Sequence, residues 1–83
     1  MKQYLTREDK IKHKQYVAWK TIMSAHEVKT AKQEAEYIGI TANAWVQRCE
    51  RELLNMSITE LANVAKKLEL TNQEVYYIIR GRV

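Results

Sequence analysis

The chain has 83 residues and a formal net charge of +4, a length that suits one domain, and a domain this small buries only about 60% of the surface its unfolded chain exposes. With so thin a stability margin and only one cysteine, Cys49, a disulfide scaffold and a cysteine-based zinc finger are both excluded, and a reducing cytoplasm is the expected compartment. No apolar run is long enough to cross a bilayer, and Met1-Lys2-Gln3-Tyr4-Leu5-Thr6 carries no hydrophobic signal region, so a soluble cytoplasmic protein is expected.

There is no proline, and Gly39 and Gly81 are the only glycines. Apolar residues recur at helical spacing throughout, and no segment alternates as a strand would. Helix starts are marked by Thr or Ser, followed three residues later by an acid or amide. The hydroxyl accepts from an orphan N–H, and the later side chain can bond back to the cap. Thr6-Arg7-Glu8-Asp9 opens a first helix over about residues 7–27, with Ile11, Ala18, Trp19, Ile22 and Met23 as its inward stripe. His26 falls near the end of that helix, where an imidazole favours the helix dipole more readily than it binds metal.

Thr30-Ala31-Lys32-Gln33 opens a second helix over 31–38, and Gly39 stops it, as expected where the chain needs positive φ. Thr41 caps a third, over about 42–53. Ser57-Ile58-Thr59-Glu60 opens a fourth over 58–68, stapled by Met56 and Leu61, with a stripe of Ile58, Leu61, Ala62, Ala65 and Leu68. Thr71-Asn72-Gln73-Glu74 opens a fifth over 72–80, stapled by Leu70 and Val75 and stopped by Gly81. Five capped helices with short connections predict a compact all-α bundle, one domain over residues 1–83.

Charge is unevenly spread. Residues 1–32 hold eight Lys/Arg against Glu8, Asp9 and Glu27, while residues 33–83 hold six basic against seven acidic groups. The basic half suits phosphate, or is a solvated surface. Catalysis is not expected. His13 and His26 lie far from any nucleophile motif, there is neither a P-loop nor a GxGxxG, and no His/Cys/Asp cluster has metal-ligand spacing. No cofactor is implied, and Cys49 reads as a small buried hydrophobe.

The informative stretch is residues 30–48. A helix-turn-helix needs a small residue where its helices cross, here Ala35, and a glycine at the turn four residues on, here Gly39. Apolar Ile38 and Ile40 bracket the turn. Trp45, six residues past the glycine, is the apolar anchor, and Trp19 is likewise read as core. The second helix of such a unit can lie in the major groove.

Together with Ser57–Gly81, where Ala65, Leu68, Leu70, Thr71 and Gly81 stand in matching places, the stretch resembles the Cro/λ-repressor (XRE-type) helix-turn-helix family over about residues 8–82. The resemblance implies a five-helix, λ-repressor-like fold and a dimeric repressor of phage or mobile-element type. It implies Asn43, Gln47 and Arg48 as base contacts, since Asn and Gln pair with adenine and Arg with guanine. Lys29, Lys32, Gln33, Thr41 and Arg51 are the implied phosphate contacts. A homodimer on a palindromic operator in double-stranded DNA is expected, with Tyr76, Tyr77 and Ile79 at the interface. The sequence departs from the family in placing Glu34 at a usual leucine, Ala31 at a usual glutamine and Arg48 at a usual apolar site. The residues after the third helix suggest a longer helix in place of a glycine loop.

Two alternatives stay open. Residues 61–80 echo residues 31–50 at a spacing of 30, with Ala65, Leu68, Leu70, Thr71 and Val75 against Ala35, Ile38, Ile40, Thr41 and Trp45. The second copy, exposing Asn72, Gln73, Tyr76, Tyr77 and Arg80, could then be the reading unit. The same fold could also occupy a protein partner, as an antirepressor or antitoxin does.

Overall fold

In the computed structural model, which describes residues 6–81, each helix begins at the hydroxyl that marks it in the sequence. Helix α1 (Arg7–Ala25) starts at Thr6, α2 (Ala31–Ile38) at Thr30, α3 (Ala42–Arg48) at Thr41, α4 (Ile58–Leu68) at Ser57 and α5 (Asn72–Arg80) at Thr71. In every case the cap hydroxyl accepts from the backbone N–H three residues on. At Thr30, Ser57 and Thr71 the reciprocal bond from the cap N–H to Gln33, Glu60 or Glu74 is also made. Such a cap contributes about 1 kcal/mol, which matters for helices of seven to eleven residues. The expectations for residues 1–5 and 82–83 lie outside the described residues.

Two helix ends differ from expectation. The first helix stops at Ala25, two residues early, because Glu27 takes a left-handed conformation (φ 65°) and the Val28 N–H closes back on the Met23 carbonyl at 2.8 Å. That turn delivers Val28 to the core at 3% exposure. The third helix ends at Arg48 and does not run to 53. Cys49 caps it, Glu50–Glu52 forms one 3-10 turn, and Arg51 and Glu52 both have positive φ (63° and 57°).

Left-handed residues other than glycine cost about 1–2 kcal/mol each. The gain is that Leu53 and Leu54, beyond the turn, are both buried. The segment is also bonded to α1. Leu54 N–H donates to the Lys12 carbonyl (3.2 Å), His13 Nδ1 to the Glu52 carbonyl (3.0 Å) and Lys12 Nζ to Asn55 Oδ1 (3.1 Å).

Helix α1 packs along α5, and α2 packs on both α3 and α4. The core between them holds Trp19, Ile22 and Met23 of α1, Ala35 and Ile38 of α2, Trp45, Leu61, Val64 and Ile78. Trp19 and Trp45 meet edge to face, with centroids 5.8 Å apart and planes at 62°. Ile11, Ile58 and Ala62, expected on inward stripes, are exposed. Ile58 is the first residue of α4, one turn ahead of the part that meets the core, and Ile11 lies in the N-terminal part of α1, ahead of the buried stretch that begins at Ala18. Among the described residues no helix is long and apolar enough to cross a membrane.

The two inter-helix turns 30 residues apart have one geometry. Gly39 (φ 94°, ψ 27°) and Glu69 (φ 55°, ψ 48°) are left-handed, and the next N–H, Ile40 or Leu70, bonds to the Ala35 or Ala65 carbonyl at 3.1 or 2.9 Å. The same turn is therefore made once with the favoured residue and once without it. Gly39→Ala should lower stability by about 1 kcal/mol through backbone strain alone, because open space surrounds the site. Glu69→Gly should raise it by about 0.5 kcal/mol, the strain relieved exceeding the added unfolded-state entropy. Urea denaturation midpoints measure both, and opposite signs are expected.

Candidate nucleic-acid interface

The candidate site is built on α2, the Gly39-Ile40-Thr41 turn and α3. At the start of α2, Gln33 Oε1 accepts from the Lys29 and Thr30 N–H groups (2.8 and 3.2 Å), so its carbonyl end is committed to the cap. Lys29 and Lys32 flank it and are exposed. Thr41 is exposed, and its hydroxyl oxygen accepts from Ala44 N–H at 3.1 Å.

Only one residue of α3, Trp45, is buried, at 1% exposure. Asn43, Val46 and Gln47 project from the exposed face, Val46 at 53%. Of the other elements, α3 packs chiefly on α2. This follows from its sequence: seven residues make two turns, and an Ala-Asn-Ala-Trp-Val-Gln-Arg order places one large apolar group inward.

Glu34 sits beneath this helix. It is 2% exposed, the one buried charged residue among those described. Its Oε1 accepts from the Trp45 indole N–H at 2.7 Å, and its Oε2 from Lys20 Nζ at 2.8 Å. Burial acts to lower the Lys20 pKa, but the hydrogen bond and charge of Glu34 outweigh it, and the net shift is upward. Cys49 lies nearby and half-buried, and burial, reinforced by the Glu34 charge, pushes its thiol up to about 11. A thiol so held is not a nucleophile at neutral pH.

Arg48 is brought inward, contrary to the expectation that it reads bases. Its guanidinium donates to both oxygens of Glu60 (Nη1 to Oε2 at 2.8 Å, Nη2 to Oε1 at 2.5 Å). Its Nε and Nη2 also donate to the Asn55 carbonyl at 3.0 and 2.7 Å. Asn55 Nδ2 returns a bond to the Arg48 carbonyl at 2.6 Å. Four of its five donors being spent, Arg48 holds the end of α3 to the start of α4 and is not free to pair with guanine. Arg51 is exposed and pairs with Asp9 at 3.1 Å.

In the second unit, α5 exposes Asn72, Gln73, Tyr76 and Arg80, with the Arg80 guanidinium 5.3 Å from the Tyr76 ring centroid. This helix lies along α1, held by buried Ile78, by Gln15 Nε2 donating to the Ile79 carbonyl (2.7 Å) and by His26 Nε2 donating to Glu74 (2.7 Å). Tyr76 and Ile79 are exposed at 58% and 41%, whereas Tyr77 is half-buried against the core and offers less to a partner than expected. Among the described residues no three His, Cys, Asp or Glu side chains stand together as metal ligands would.

Sequence reasoning missed two residues that shape the site. Glu34 was visible as a charge in place of an apolar residue, and Arg48 as a departure at the helix end, but their charged partners Lys20 and Glu60 lie fourteen and twelve residues away in the chain. Compared with family profiles, with characterised proteins and with solved structures, the chain matches none.

The Arg48–Glu60 pair sets a pH dependence. Arg48, then the Ser57 N–H, hold the Glu60 carboxyl down at about 2. A folded-state pKa below the unfolded value stabilises the fold above about pH 4.5 and loses that contribution as pH falls towards 2. Glu60→Gln keeps an oxygen for the cap but discards the charge. It should cost about 1–2 kcal/mol at pH 7, the solvent access of the pair limiting the effect. The gap to the unmodified protein, read from urea midpoints, should close between about pH 4.5 and 2. A gap that does not change with pH would assign Glu60 a capping role only.

Proposed function

We propose that the chain is a sequence-specific DNA-binding transcriptional regulator, acting as a dimeric Cro-like repressor of phage or mobile-element type. The observation that carries this reading is the mounting of α3. One buried side chain anchors it, α2 is its chief packed neighbour and Arg48 ties its end to α4, so Asn43, Val46 and Gln47 face outward together. Asn43 and Gln47 can pair with adenine edges in the major groove, and Val46 can meet a thymine methyl. Lys29 and Lys32, the free amide nitrogen of Gln33, Thr41 and Arg51 supply phosphate contacts, which position the helix without reading sequence. The second unit is the poorer reader, because α5 is laid along α1 and bonded to it.

Selection from a random duplex pool at low salt, followed by fluorescence anisotropy, tests this directly. Binding should weaken steeply with salt, and the selected sequences should share a palindrome. Asn43→Ala or Gln47→Ala should cost about 1–3 kcal/mol and relax the site at one position. Lys29→Ala or Lys32→Ala should weaken all sequences alike and reduce the salt slope by about 1. Absence of binding at low salt would sink the proposal.

Dimerisation in this reading uses Tyr76 and Ile79, which are exposed beside the buried Ile78. Ile79→Arg places a charge on the surface without touching the core, so the fold should persist while sedimentation shows monomers. A variant that stays dimeric would place the interface elsewhere. A second reading, a relative that occupies another regulator, draws on the exposure of Ile58 (72%) and Ile11 (51%). A tight protein complex with no DNA affinity would favour it.

A further inference from the structure

We infer that Glu34 is the positioning residue of α3: its buried carboxylate, by accepting the Trp45 indole N–H, sets the rotation at which α3 presents Asn43, Val46 and Gln47. The inference rests on the DNA-reading role proposed for that helix, and it concerns a residue that would not itself touch DNA.

Trp45 is the one buried side chain of α3. A helix anchored by one buried side chain can swivel about that anchor, because apolar contact is not directional. The turn before it, Gly39-Ile40-Thr41, fixes where α3 begins but not how it rolls. Arg48 ties down its far end. A hydrogen bond is directional, and the 2.7 Å bond to Glu34 Oε1 orients the indole plane within the core. Trp19 then closes on that ring edge to face, and the Arg48 guanidinium lies 5.7 Å from its centroid. The indole is held on three sides, and the Glu34 bond is the directional contact made to the ring itself, fixing its orientation while the Arg48 bonds fix the helix end.

The cost of this arrangement argues that the bond is not incidental. A carboxylate at 2% exposure loses its hydration and is tolerated only when paired and hydrogen-bonded. Lys20 reaches over from α1 to compensate it, with its own side chain 40% exposed. One side chain therefore links α1, α2 and α3. The contrast with Trp19 is informative, since its indole nitrogen is equally buried and has no partner among the described residues. Of the two buried indoles, Trp45 is the one given a charged acceptor, and that acceptor orients its ring.

The test uses the full chain carrying Glu34→Gln, Glu34→Leu or Trp45→Phe. Gln keeps an oxygen for the indole; Leu removes the acceptor; Phe removes the donor and leaves Glu34 with Lys20. Residual dipolar couplings of backbone amides report the orientation of α3 relative to α1 and α4, with or without DNA. Glu34→Leu and Trp45→Phe should each rotate α3, and Glu34→Gln should not. Affinity for the selected site should then fall by about tenfold, the order of one lost base contact, while non-specific binding at low salt persists. An unchanged α3 in both Glu34→Leu and Trp45→Phe would overturn the inference, as would an equal rotation in Glu34→Gln. Either variant alone suffices if the other does not fold. Failure of the unmodified protein to bind DNA would remove the proposed function and leave the couplings to decide the role of Glu34.

Discussion

The meeting of Trp19 and Trp45 is the contact on which the rest of this domain is assembled. The two indoles are its largest fully buried side chains, and they join α1 to α3, which have no extensive backbone contact. Edge-to-face packing of such rings contributes about 0.5–1.5 kcal/mol beyond the area they bury. Around them α2 and α4 close one side through Ala35, Ile38, Leu61 and Val64, and α5 closes another through Ile78. A short chain gains a great deal by placing its two largest side chains together, since they fill volume that many smaller residues would otherwise have to supply. The consequence is that α3 enters the core with one residue only, and its outer surface stays free.

The short helices survive because their ends are chemically complete. Hydroxyl caps on all four, three of them reciprocal, satisfy donors that helices of seven to eleven residues could not leave open. Where a glycine was not available to end a helix, a glutamate takes the left-handed position instead, at Glu27 and at Glu69. The strain is acceptable because the residue that follows, Val28 or Leu70, is turned onto the core. The loop after α3 works in the same way at higher cost, with Arg51 and Glu52 left-handed in succession and Leu53 and Leu54 buried beyond them.

These are the places where sequence and structure part. Helix starts were legible because capping is local: Thr or Ser and its partner stand three residues apart. The ends of α2 and α5 were legible because Gly39 and Gly81 mark them. The end of α3 was not, because it depends on where Leu53 and Leu54 must go, and nothing between Cys49 and Glu52 marks a turn. Ile58 was misplaced because a helix-period stripe does not say which turn of the helix meets the core. Arg48 looked like a reading residue by its position on the helix. Its inward role is set by Asn55 and Glu60, seven and twelve residues away, whose approach depends on the loop that the sequence did not reveal. The 30-residue echo, by contrast, was fully legible, and the two turns that carry it agree in geometry down to the hydrogen bond that closes each.

That echo also explains why two copies of one local design have different surroundings. Each copy offers a helix capped by threonine after a left-handed turn. In the first copy the inward residue is Trp45, long enough to reach Trp19 across the core, so α3 stands away from α1. In the second it is Val75, too short to reach, and Ile78 one turn later carries α5 down onto α1 instead. The size of a single inward residue thus decides whether the helix is held at arm's length or laid flat. A helix held at arm's length needs something to fix its rotation, which is the position Glu34 occupies; a helix laid flat is oriented by its whole length and needs no such residue. The buried carboxylate is in this sense the complement of the tryptophan, and the charge at 34 and the large anchor at 45 are one feature of the fold.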